Sequence, residues 1–173
     1  MNKETHKAAG GLAGAIAISI TGAPLYLWPF ALVAGSVAGM LADIDHGGSG
    51  ANRVVPMSGM VVGGLFQHRT FTHSILAVVI FAALLKMVPG LPQPIWLAAV
   101  AGYLSHPLID TFNPKGVQWF FPFGPKIAIP LVCFQTGSKL ETKILKPVLW
   151  CATTCTLVSL LFGHSVIERW VLT

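Results

Sequence analysis

The sequence predicts an all-α membrane protein, a polytopic bundle of about four to five transmembrane helices. Three observations predict it. Charged residues make up only 10% of the 173-residue chain and hydrophobic residues 54%, whereas a soluble domain carries about 25% charged residues. So little polar surface cannot cover a molecule that faces water on all sides. Apolar runs close to spanning length recur five times, and prolines, glycines and ionisable residues separate them. The length suits one domain, 1–173, with a core at 1–125 and a loop and last helix at 126–173.

The first run covers residues 8–25. A turn at 24–29 leads to a second run, ending near Asp43. No charge interrupts 8–42, which is too long for a signal-peptide core and fits a helical hairpin. Gly35 and Gly39 form G-x-x-x-G on the second helix, a close-packing signal. The third run, 72–88, stops before Pro89-Gly90-Leu91-Pro92, the fourth covers 94–111 and the fifth 147–167. Two long loops remain, a glycine-rich one at 47–69 and one at 113–146. The second holds Trp119, Phe120, Phe121 and Phe123 near lysines, as an interfacial segment would, although a packed loop fits equally. Cys133, Cys151 and Cys155 are odd in number and imply no disulfide framework. The net charge of +5 is dispersed between apolar runs, which points to lipid headgroups and topology rather than nucleic acid.

The polar residues carry the functional information. His6, Asp43, Asp45, His46, His68, His73, His106 and Asp110 all sit at ends of apolar runs. His6 precedes the first helix, and the second helix returns to the same side before Asp43, Asp45 and His46. His68 and His73 open the third helix from that side, and the fourth comes back to it at His106 and Asp110. Counting crossings therefore puts all eight on one membrane face. His164 ends the fifth helix on the other face. Imidazole with carboxylate is the donor set of zinc, manganese and iron. The bland alternative is a set of interfacial polar groups at wet helix ends.

Spacing refines the picture. Asp43 and His46 are three apart and His106 and Asp110 four apart, so each pair shares a helix face. Pro107 disfavours helix at His106, so a kink is expected there. His68 and His73 cannot point one way from a single helix, which puts His68 in the loop and a cap at Thr72 or a neighbour. Arg69 suits an anionic group such as phosphate, or equally a topology signal. Lys3, Lys7, Arg53, Arg69, Lys115, Lys126, Lys139, Lys143 and Lys146 lie on the cluster's face, and only Lys86 and Arg169 on the other. The positive-inside rule then places the cluster in the cytoplasm of a multi-pass inner-membrane protein.

Leu41-Ala42-Asp43-Ile44-Asp45-His46, His68-Arg69-Thr70-Phe71-Thr72-His73-Ser74 and Gly102-Tyr103-Leu104-Ser105-His106-Pro107-Leu108-Ile109-Asp110 resemble the YdjM-like family of LexA-regulated inner-membrane proteins. The H-R-x-x-T-H-S string is its most specific mark, and His6 matches an early family histidine. The likeness covers roughly residues 1–125. Ala42 and Pro107 depart from the family pattern. The resemblance implies a metal-dependent hydrolase. A fainter pattern likeness to zinc-dependent phospholipase C and S1/P1 nucleases favours phosphoesters.

The expected centre holds one or more divalent ions, zinc first and manganese or iron as alternatives. His6, Asp43, His73, His106 and Asp110 are the primary ligands, with His46 and His68 next. Asp45 is the candidate general base or bridge, and Arg69 the phosphate holder. A lipid or other phosphoester is the expected substrate, and membrane lipids are the expected partners. The competing class is a non-catalytic structural or sensory transition-metal site.

Overall fold

The structure, a computed structural model, describes residues 1–45, 69–129 and 134–171, the side chains of 44–45 and 164–171 excepted. Among these residues it is all-helical, with five α-helices: α1 Lys3–Thr21, α2 Trp28–Leu41, α3 Ile75–Lys86, α4 Gln93–Asp110 and α5 Lys146–Val171. Each falls on one of the five apolar runs.

Local chemistry sets the ends. The Asn2 side chain accepts from Glu4 N at 3.2 Å and caps α1, which closes on Gly22 at φ +59°. That left-handed conformation is one that glycine adopts without a Cβ clash. Pro29 sits in the first turn of α2, where the missing donor costs nothing. The cap expected near His73 is Ser74, whose side chain accepts from Ala77 N at 3.2 Å. His73 itself ends a short 3-10 turn, Phe71–His73. Pro107 does not end α4, which runs on to Asp110. It lies in the last turn, where only one backbone donor is lost.

Helices α1, α2 and α4 pack on one another, α5 lies along α1, and α3 leans on α4. The three central helices meet through glycine. A Cβ on Gly102 of α4 would strike the Gly35 backbone of α2, and so would one on Gly10 of α1. At Gly39 it would lie 2.7 Å from the His6 carbonyl oxygen. The G-x-x-x-G of α2 therefore serves both neighbours, as backbones that touch require. Small side chains such as Ala31, Ala38 and Ala98 fill the rest of the contact.

Among the described residues one helical stretch, Glu141–Gly163, which joins the π-helical turn Glu141–Leu145 to α5, is long and apolar enough to cross a membrane alone. Of the other expected spans, α1 and α4 have 19 and 18 residues but carry polar ends at the cluster, and the second and third are shorter as helices. The 3-10 turn takes the start of the third run, leaving α3 with 12 residues, or about 18 Å at 1.5 Å per residue against a hydrocarbon core of about 30 Å. The outer surface is nonetheless apolar: Ile20, Phe30, Val33, Val79, Leu84, Val148 and Phe162 are all exposed.

Candidate metal centre

Five of the residues singled out from the sequence converge at one end of the central helices. His6 comes from the first turns of α1. Asp43 comes from the 3-10 turn Ala42–Asp45 after α2. His73 comes from the turn before α3, and His106 and Asp110 from the last turns of α4. His6, His73, His106 and Asp110 are completely buried, whereas the Asp43 side chain is 20% exposed. Two groups of donors lie close enough to hold an ion, His6–His106–Asp110 and Asp43–His73–His106. His106 belongs to both.

The His106 ring is fixed from behind. Its Nδ1 lies 2.7 Å from the Gly39 carbonyl oxygen, which can only accept, so Nδ1 carries the proton and donates. Its Nε2 lies 3.3 Å from Asp43 Oδ1 and 3.9 Å from Asp110 Oδ2, and in the neutral ring it is the Nε2 lone pair that faces them. The His6 ring stacks on it, centroids 3.4 Å apart and planes within 5°. His6 Nε2 lies 3.4 Å from Asp110 Oδ1, and His73 Nε2 lies 3.7 Å from Asp43 Oδ1. The His73 Nδ1 sits 2.9 Å from Thr72 Oγ1, which orients that ring. Both nitrogens of His6 and the Nε2 of His106 are buried without a hydrogen bond.

Acceptor atoms thus face one another in a dry place, an arrangement that costs free energy unless a cation lies between them. Burial resists ionisation of Asp43, but positive charge beside it, carried by the His106 and His73 rings when protonated or by a cation held between them and the carboxyl, outweighs burial and keeps the carboxyl well below the usual range. It therefore stays an anionic donor. The donor set and its orphaned nitrogens fit a divalent ion of the zinc, manganese or iron kind.

Asp110 is shared out among partners. Its Oδ1 accepts from the Met1 ammonium, and its Oδ2 lies 3.0 Å from Arg69 Nη2. Arg69 is buried at φ 66°, donates from Nη1 to Asn113 Oδ1 at 2.8 Å, and keeps a buried Nε without a hydrogen bond. The aromatic loop closes over this turn. Gln118 N donates to Arg69 O and Ile75 N donates to Trp119 O, while Phe120 and Phe123 remain exposed. It is packed and outward-facing at once.

His46 and His68 lie outside the described residues, as do the side chains of Asp45 and His164. One residue was missed. Glu141 is fully buried in the π-helical turn Glu141–Leu145 before α5. It accepts from Asn2 N, and from Gly137 N at 2.6 Å, so it holds the segment that delivers Met1 and His6. Its only sequence signal was an isolated acid among lysines on the cluster's side. Glu141→Gln points an amide donor at a backbone N–H, and we expect it to cost about 1–3 kcal/mol. Thermal unfolding followed by circular dichroism in detergent checks this, and an unchanged midpoint would remove Glu141 from the frame of the site.

The sequence profile of the YdjM inner membrane protein family matches residues 1–170. The chain is 35% identical over 108 residues to inner membrane protein YdjM of Escherichia coli (strain K12), covering 59% of this chain and 54% of that one. It is 33% identical over 112 residues to YvsG of Bacillus subtilis (strain 168), covering 64% and 68% respectively. It is also 33% identical over 104 residues to inner membrane protein YbcI of Escherichia coli, covering 55% of each. The matched stretch is thus about half the length of the first of these relatives. No solved structure matches the chain.

Proposed function

We propose, for a chain that belongs to the YdjM inner membrane protein family, that the buried cluster is the metal centre of a membrane-bound hydrolase acting on a phosphoester, a lipid among the candidates. One observation carries the reading. The Nε2 of His106, buried without a hydrogen bond, faces the carboxyl oxygens of Asp43 at 3.3 Å and of Asp110 at 3.9 Å. A metal ion bound by this nitrogen and these oxygens would satisfy them together.

His6, Asp43, His73, His106 and Asp110 would hold one or two ions, zinc first by donor type. When bound, such an ion supplies Lewis-acid polarisation of a phosphoryl oxygen and acidifies water. The chain's own residues do the rest. Gly39 fixes the His106 tautomer, as supporting hydrogen bonds to ligating histidines do. Arg69 orients Asp110 and keeps Nε for an anionic oxygen. Asp43 is the most open of the five ligands, so substrate approaches from its side. Asp45 remains the candidate base, and His46 and His68 the candidates for further ligation. The lysine and arginine asymmetry supports a multi-pass arrangement with the site facing the cytoplasm.

The second reading, a closed structural or sensory site, is favoured by the burial of four of the five ligands. A chelator separates the two. We expect metal to co-purify at about one to two ions per chain. Chelation should stop hydrolysis in a screen of phospholipids and phosphomonoesters while leaving the helical signal intact. A fold that melts on chelation, with no hydrolysis beforehand, would favour the clamp. A protein that carries no metal, and is indifferent to His73→Ala and Asp110→Ala, would sink both.

A further inference from the structure

An apolar groove of about 670 Å³ runs between α2, α3 and α4. Its walls include Phe30, Val33, Val37 and Leu41 from α2, Phe81 from α3 and Ile95 from α4. Every lining residue is a hydrocarbon side chain. The groove follows α2 from Pro29 to Leu41, about 18 Å at 1.5 Å per residue, close to one leaflet of a hydrocarbon core about 30 Å thick.

Its inner end meets the metal centre. Leu41 is followed by the turn that carries Asp43. The floor residues Ala38, Ala99 and Phe81 belong to the same packed layer as Tyr103, whose hydroxyl donates to Thr72 O at 2.7 Å, beside His73. Phe81 stacks on Tyr103 with centroids 4.8 Å apart. The cluster is sealed elsewhere, with side-chain exposures of 0–1% for His6, His73, His106 and Asp110 against 20% for Asp43. Asp43, the least buried of the five, thus follows the Leu41 end of the groove by two residues.

We propose that the groove holds one hydrocarbon tail of an anionic amphiphile whose head group sits at Asp43 and His106. For its head group this rests on the metal-centre reading above. For its tail it rests only on the groove. A polar ligand is disfavoured because nothing along the groove could replace its lost water. A second copy of the chain docking on this face is an outcome the test also reads.

The test uses the full chain in phosphatidylcholine nanodiscs, with a long-chain alkyl monophosphate carrying a diazirine at its tail end. The alkanol with the same label is the control, and labelled positions are mapped by mass spectrometry. We expect the phosphate probe to label the far end of the groove, at Phe30 and Ile95, about tenfold over the lipid-facing Val158 and Leu161 of α5. Val37→Trp fills the groove from its exposed rim and should bring that preference down to the α5 level. Asp43→Asn should bring the phosphate probe down to the alkanol's level. Uniform labelling of groove and α5, a preference that survives Val37→Trp, or crosslinks between two chains through α2 would each overturn the proposal. Metal content is measured on the same samples. Metal present with uniform labelling refutes the groove and leaves the centre standing. Metal absent with groove-selective labelling refutes the centre and supports the groove.

Discussion

His106→Ala is expected to strip metal from the whole centre, whereas His6→Ala should weaken only one part of it. His106 is the one residue common to both donor groups, and its ring touches both other imidazoles, stacked on His6 and edge-on to His73 at 4.8 Å. Removing it takes a ligand from either ion and the wall that orients His6. Losing a supporting hydrogen bond to a ligand costs about 10–100-fold in metal affinity, so losing a shared ligand should cost more than about 100-fold. Competition against a chelator and elemental analysis of the purified variant measure this, with circular dichroism to confirm the fold. His106→Ala with an unchanged metal content would end the shared-ligand assignment. His6→Ala should keep the Asp43–His73–His106 group and roughly half the metal if two ions bind.

The second large effect is expected where no ligand is touched. Gly102→Ala puts a methyl group 2.7 Å from Gly35 Cα and 2.8 Å from its carbonyl carbon. Backbone has no rotamer with which to yield, so α4 must move away from α2. Overpacking a core costs about 1–3 kcal/mol and occasionally more, and this contact belongs at about 3 kcal/mol or beyond. The same shift would carry His106 and Asp110 away from Asp43, so metal should be lost together with stability. Gly163→Ala is the control, since a Cβ there meets nothing within 4 Å. It should change stability by no more than about 1 kcal/mol, and in the favourable direction. Thermal unfolding of the two variants side by side decides the matter. Equal midpoints would mean that the glycine crossing does not hold the helices at their spacing.

These two expectations mark where sequence reading succeeds and where it stops. The five helices were legible because each is a long apolar run bounded by breakers, and hydrocarbon next to proline or glycine is a local signal. Gly35 was legible as half of a spacing motif. Gly10 opens a second G-x-x-x-G with Gly14 on α1, whose partner on α2 the spacing does not name, and Gly102 carries no such motif, because a contact between α1, α2 and α4 is written in three separated stretches. The capping role expected of Thr72 or a neighbour falls to Ser74, since the 3-10 turn Phe71–His73 moves the start of α3 to Ile75. Pro107 was expected to disfavour helix at His106, yet α4 continues to Asp110 because a proline so near the helix end forfeits a single bond. Glu141 escaped notice because its partners are backbone N–H groups, one of them at Asn2, 139 residues away, and backbone groups leave no trace in a residue pattern.

By itself the sequence determined the composition suited to lipid, the five helical runs and the parity of their turns, which sends histidine and aspartate to one end. Parity is enough for that because a helix end can only be on one side or the other. Tertiary structure alone decided that His106 belongs to both donor groups, that its Nδ1 is tied to Gly39, that Asp43 is the least buried of the five, and that an apolar groove ends two residues from it. Those are matters of ångströms between helices, set by how closely three glycines let backbones approach, and no local pattern along one chain specifies such distances.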